Sequence, residues 1–145
     1  MKKQLLFCAF VGLMTSCQQE DAIQPSSPTL AGEAVGTYQT NVYLDPAYVA
    51  TASSELPYAE LKAESANSVT LIYSKLYPVK SSHSIEHVTL LREPNGIQLS
   101  AAGSVIGTLQ TDRVFTSNGM EKQGQLLRIS MQNDSANGLY FIGSK

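Results

Sequence analysis

From Gly36 onward the apolar residues of this chain return at every second position. Tyr38, Thr40, Val42 and Leu44 share one parity, with Gln39 and Asn41 on the other. Ala59, Leu61 and Ala63 alternate with Glu60, Lys62 and Glu64, and Val69, Leu71 and Tyr73 alternate with Thr70 and Ser74. Further runs pair Val88 with Leu90, Ile97 with Leu99 and Ala101, and Val105 with Gly107 and Leu109. The last two are Leu127, Ile129 and Met131, then Leu139 and Phe141. Half-buried strands produce this alternation, because successive side chains leave opposite faces of the backbone.

Turn residues separate the runs. Asn95-Gly96 is the strongest hairpin signal, since a type I′ turn needs positive φ at both central residues. Ala66-Asn67, Ala102-Gly103, Asn118-Gly119 and Asn137-Gly138 mark further reversals. Strands joined by short turns pair antiparallel with their sequence neighbours, because parallel pairing needs a long crossover. No stretch predicts a helix. The expected fold is all-β: a small antiparallel up-and-down barrel of about eight strands, which removes its own edges by closing. The alternative is an open two-sheet sandwich of similar length.

The N-terminal segment changes the picture from fold to compartment. Lys2 and Lys3 precede an apolar run, Leu5 to Met14, broken only by Gly12. That run is too short to span a bilayer and reads as a signal peptide over residues 1–16. It leads into Thr15-Ser16-Cys17. The segment Leu13-Met14-Thr15-Ser16-Cys17 resembles the lipobox of bacterial lipoproteins, with Met14 where leucine is usual. The resemblance implies that Cys17 is lipidated and becomes the first residue of the mature chain. An ordinary secretory signal with an incidental cysteine is the alternative. Gln18 is not the aspartate that holds enteric lipoproteins in the inner membrane, and the pair Glu20-Asp21 resembles the surface-export signal of Bacteroidota lipoproteins. A solvated polar tether explains the same residues. The expected location is the cell envelope, lipid-anchored in the outer membrane, with its facing open.

Only Cys8 and Cys17 are present, so a mature domain would hold no disulfide and depend on its core. Two acyl chains give the stable anchoring that one does not. Pro25, Ser26, Ser27, Pro28 and Gly32 give residues 17–34 the composition of a flexible tether. Residues 35–145 then form the barrel domain, long enough for a core of its own. Without residues 1–16 the chain carries eight basic and twelve acidic side chains, and no basic cluster points to nucleic acid.

Gly36-Thr37-Tyr38 on the first strand, followed by a long loop and a strand meander, resembles the start of a lipocalin-like (calycin) barrel. That family has glycine, any residue, then tryptophan, with an arginine from a late strand packed on the indole. Tyr38 stands in the tryptophan position here, and Arg128 is the expected partner. The resemblance implies a ligand inside the barrel, beneath the first loop.

Candidate chemistry is sparse. His83 and His87 lie four apart, about 13 Å along a strand at roughly 3.3 Å per residue, too far for one metal ion. No serine sits in a nucleophile elbow, no phosphate loop occurs, and Glu60, Lys62 and Glu64 alternate as a solvated face. The reading is a non-enzyme without metal or cofactor. Asp45 to Pro57 is much longer than a hairpin needs and carries Tyr48 and Val49; Thr116 to Gln123 carries Met120. Tyr38, Tyr48, Val49 and Met120 are therefore the candidate ligand-binding residues. An eight-stranded barrel has room for packed side chains or for one small ligand. The large inward residues Leu61, Leu71, Leu90, Leu99, Leu109, Leu127, Ile129 and Phe141 favour packing, whereas Ala59, Ala63, Ala101 and Gly107 leave room. Two functions follow: binding of a small apolar ligand, or interaction of a filled barrel with an envelope protein.

Overall fold

Eight antiparallel strands follow one another round a closed ring, and the last pairs with the first. The computed structural model describes residues 28–132 and 138–145. Cys8, Cys17, the signal segment and tether as far as residue 27, and Asn137 lie outside the described residues. The strands are β1 (Gly36–Thr40), β2 (Tyr58–Ala63), β3 (Ser68–Lys75), β4 (Ser81–Glu93), β5 (Gly96–Ala101), β6 (Ser104–Phe115), β7 (Glu121–Met131) and β8 (Leu139–Ser144). Closure excludes the open sandwich: Gln39 pairs with Ser144 and Thr40 with Gly143.

The barrel interior is filled. Tyr38, Leu61, Leu71, Leu99, Leu127, Ile129 and Phe141 are essentially without exposure, and Leu90 and Leu109 nearly so. Each such side chain contributes roughly 1.5–3 kcal/mol on burial. Ala59 is fully buried among them. Gly107 does not hollow the barrel either; a Cβ there would lie 2.3 Å from the Arg128 carbonyl oxygen, so its smallness lets β6 and β7 approach. Ala63, expected inside, is exposed at the end of β2.

Two bulges break the strict alternation. Leu99 pairs with Gly107 but Ser100 pairs with Val105, which leaves Ile106 as the extra residue. The chain therefore turns Ile106 inward and leaves Val105, read as inward, 56% exposed. On β4, Val69 pairs with Val88 but Leu71 with Ile85. His87, at φ 56, takes up the irregularity. Glu64 secures it: its carboxylate accepts the His87 backbone N–H at 3.0 Å and the Thr70 hydroxyl, and lies 3.0 Å from His87 Nδ1. Those contacts hold the Glu64 carboxyl well below its usual range, at about 2, with the Thr70 hydroxyl the largest cause.

Turn chemistry also departs from expectation. The register Glu93 to Gly96 makes Pro94-Asn95 the turn, because the proline ring fixes a negative φ at the first position; Gly96 opens β5. The turn with positive φ at both central residues is Ala102-Gly103, at 49° and 79°.

A single helical turn, α1 (Leu30–Ala34), closes one end of the barrel and lies inside the stretch that composition assigned to the tether. Thr29 caps it by accepting the Gly32 N–H at 3.0 Å. Ala31 and Ala34 are buried in the core, and Ala31 N–H donates to the Ala66 carbonyl at 3.0 Å. The packed unit therefore begins before Val35. Five residues give too few positions for a helical period to register in the sequence.

Candidate functional site

Strand β1 ends four residues before the alternation does, and the reason is Asn41. Its Nδ2 donates to the Phe115 carbonyl and to the Ser144 hydroxyl, each at 3.1 Å. Its carbonyl accepts the N–H groups of Leu44 and Asp45, both at 2.9 Å, which turns the chain away from the sheet. Val42 and Leu44 are thus loop residues. Leu44 packs on Val114, Leu126 and Ile142, a second apolar cluster apart from the barrel core. Leu126 and Ile142 have the parity opposite to Leu127 and Phe141, so they face outward until this loop covers them.

The loop then makes two short 3₁₀ turns, Pro46–Tyr48 and Ser53–Glu55. Asp45 caps the first by accepting the Ala47 N–H at 3.2 Å, with Pro46 preset at the first position. Tyr43 reaches the β6–β7 turn, its ring centre 5.5 Å from that of Phe115. The return leg is tied by the Thr40 hydroxyl, which donates to the Pro57 carbonyl at 2.6 Å.

Between this loop and the β6–β7 turn lies a cleft of about 370 Å³. Val42, Tyr43, Val49, Leu56 and Phe115 supply its apolar wall. Gln39, Thr40, Asn41, Thr51, Ser53, Thr116, Ser117 and Ser144 supply polar groups. None of these side chains is charged, and none of the large inward core residues named above borders the cleft. Its size is that of a small-molecule site. A second depression, of about 480 Å³ and about as enclosed as the cleft, lies at the barrel rim around Ile85, Ala101, Ile106 and Met131, but its lining is evenly mixed in polarity.

The four candidates from sequence fare differently. Val49 lines the cleft and is 70% exposed. Tyr48 turns the other way, so that its hydroxyl and the Asp45 carboxylate lie beside Tyr73. Burial first, then these two neighbours, push the Tyr73 phenol up. Met120 is exposed on the β6–β7 turn and does not line the cleft, although its neighbours Thr116 and Ser117 do. Tyr38 is a core residue with no exposure, its phenol pushed up by burial. Its hydroxyl donates to the Ala34 carbonyl at 2.6 Å.

Arg128 is not the residue over the Tyr38 ring. It points outward, 3.6 Å from the Asp112 carboxylate, as its parity requires. Lys145 takes that place, with Nζ 5.1 Å from the ring centre and donating to the Val35 carbonyl. Asn41, Tyr43, Leu56 and Phe115 were not singled out from the sequence. Asn41 alternates there like any outward polar strand residue, and only the fold brings residues 43 and 115 together.

Chemically the cleft can bind and orient a neutral molecule. Its hydroxyls have no histidine or carboxylate beside them in the lining, and burial pushes up the phenols of buried Tyr38 and half-buried Tyr73. His87 faces Glu64 rather than His83. Among the described residues no group of three or more His, Cys, Asp or Glu side chains is placed to hold a metal ion. Comparison with protein-family models, curated proteins and solved structures finds no match to this chain.

Proposed function

We propose that this chain is a lipid-anchored envelope protein whose barrel, similar to a lipocalin-like domain, carries a binding site for one small apolar molecule. The observation that carries the reading is the cleft of about 370 Å³ under the first loop, with its uncharged, largely apolar wall. Among the described residues, side chains as large as Phe141 and Leu71 fill the interior. The binding region therefore moves from inside the barrel to the flank, while the long loop keeps its role as cover. Anchoring rests on the apolar run that ends at Cys17 and on Glu20-Asp21 behind it. The bacterial outer membrane is the proposed site.

Two measurements test this. An environment-sensitive apolar dye should brighten with saturable, one-site stoichiometry on the folded chain, and Leu56→Ser should weaken the response. Emission that rises only as the protein unfolds would remove the cleft as a site. Cells fed labelled palmitate should label the protein, and Cys17→Ala should abolish both the label and the membrane association; persistence of both would refute the anchor.

The second reading, recognition of an envelope protein by the outer surface, is favoured by one observation. Val105 and Tyr140, 56% and 59% exposed, border an apolar groove of about 370 Å³ on the outside of β6–β8. A specific partner recovered by Tyr140-dependent cross-linking, with no saturable dye binding, would support it.

A further inference from the structure

The β3–β4 hairpin continues past the barrel wall. Tyr73 and Ile85 still pack on the core. Beyond them Ser74 pairs with Ser82 and Lys75 with Ser81, and Ser81 to Ser84 are exposed on both faces of the ribbon. A two-stranded ribbon in water usually ends on polar turn residues. This one carries an apolar tip on a polar stalk: Tyr77 is 57% and Val79 73% exposed, with exposed Pro78 between them. Lys75 and Lys80 flank the tip, both exposed, and neither pairs with a carboxylate among the described residues. From Ser65 to Ile85 the chain has no Asp or Glu, although acidic side chains outnumber basic ones over the whole sequence.

We propose that this tip docks on an anionic lipid bilayer, with Tyr77 and Val79 at the edge of the hydrocarbon and the two lysines among the headgroups. Tyrosine suits that depth, because its ring is apolar and its hydroxyl stays hydrated. The lysine stems lie along the apolar boundary, while their ammonium groups meet the negative surface. A protein partner fits the tip less well. Three exposed residues on a projecting turn supply far less than the roughly 1,200 Å² that a specific protein interface buries, whereas a fluid bilayer yields to a convex tip. The proposal stands apart from the cleft, and it holds whether or not Cys17 anchors the chain.

The chain contains no tryptophan, so Tyr77→Trp gives the tip a fluorescence reporter of its own and keeps an aromatic ring there. Leu91→Trp, at a position 55% exposed on β4 beside the Arg92–Glu33 pair, reports on the end closed by α1. Each full chain is mixed with phosphatidylcholine vesicles, with or without phosphatidylglycerol, whose acyl chains carry bromine as a quencher. The expected result is a blue shift and quenching at position 77 in the phosphatidylglycerol vesicles, at least threefold stronger than in phosphatidylcholine alone. Position 91 should show neither. Lys75→Glu with Lys80→Glu should reduce the quenching at least threefold, and raising the salt concentration should reduce it too, because it screens the surface charge. Tip emission unmoved by both vesicles overturns the proposal, even where the chain floats with them through its N-terminal segment. Equal quenching in the two vesicles, or at positions 77 and 91, overturns it as well. A shift produced by envelope proteins but by neither vesicle would give the tip to a protein partner and overturn the lipid assignment.

Discussion

The Lys145 ammonium sits 5.1 Å from the centre of the Tyr38 ring, joining the last residue of the chain to the first strand. The same Nζ donates to the Val35 carbonyl, and the Tyr38 hydroxyl donates to Ala34, so α1, β1 and the C-terminus meet at one point. Burial lowers the Lys145 pKa from its ordinary value. The face of an aromatic ring attracts a cation, by about 0.5–1 kcal/mol at partly exposed sites. Lys145→Met, which keeps the stem, should therefore cost about 1 kcal/mol in urea denaturation. Tyr38→Phe should cost about 1 kcal/mol through the lost hydroxyl bond. Because Phe keeps the ring, the two losses should add nearly fully; Tyr38→Leu with Lys145→Met should fall short of additivity by about 0.5 kcal/mol.

Strand number, order and the antiparallel barrel were legible because alternation at Leu61, Leu71, Leu99 and Ile129 depends on local burial alone. The bulges were not. Ile106 and Val105 are both β-formers, and which one faces inward is decided by the β5 partner strand. Leu126 reads as a solvent-facing position until Leu44 covers it, a contact 82 residues away in the sequence. Helix α1 is one turn long and uses two alanines, a signal indistinguishable from linker composition. For the cleft, loop length pointed to a segment that borders it, and Val49 is among the lining residues. Asn41 could not, since its importance lies in bonds to Phe115 and Ser144 that exist only after the barrel closes.

Core and outer positions on β3 should respond differently. Leu71 has no exposure, and Leu71→Ala should destabilise by about 2–5 kcal/mol in chemical denaturation. Thr70 faces outward but its hydroxyl is bonded to Glu64. Thr70→Val should therefore cost less than Leu71→Ala, yet more than an unbonded surface threonine. Equal effects at both sites would contradict the inward assignment of Leu71.

Acid should weaken the β4 bulge through Glu64. Its carboxyl lies at about 2 in the folded protein against 4.5 as a free side chain. Between those values the unfolded chain binds the extra proton, so lowering the pH favours unfolding. The contribution is complete above about 4.5 and is lost as pH falls towards 2. Wild type should exceed Glu64→Gln in stability at pH 6, and the gap should narrow steadily between pH 4.5 and 2.5. A gap independent of pH would mean that the carboxylate's charge is not what stabilises the bulge.

Ala102 holds φ 49 in the β5–β6 turn, a region where alanine is strained and asparagine is favoured. Its side chain is exposed, so replacement meets no packing constraint. Ala102→Asn should stabilise the protein by about 0.5 kcal/mol. Ala102→Val, with a branched Cβ, should destabilise it by about 1 kcal/mol or more. The thermal midpoints of the pair should therefore move in opposite directions.

The last prediction concerns where the packed unit begins. A chain starting at Val35 lacks α1, and several interactions go with it. Ala31 and Ala34 no longer close the barrel end, and the Glu33 carboxylate no longer pairs with Arg92. The Tyr38 hydroxyl loses its Ala34 acceptor, which leaves a buried donor whose remaining neighbour is Gln125 Oε1 at 3.3 Å. A lost partner for one buried hydroxyl costs about 1–3 kcal/mol by itself, and uncovering the apolar barrel end adds to it. A chain starting at Pro28 keeps all of these. The shorter chain should retain a β-type circular dichroism spectrum, because none of its strands is touched. Its thermal midpoint should nevertheless fall by about 10 °C or more relative to the longer one, in line with about 2 kcal/mol for a domain of this size. Equal midpoints would show that α1 lies against the barrel without stabilising it, and the boundary suggested by composition at residue 35 would then stand.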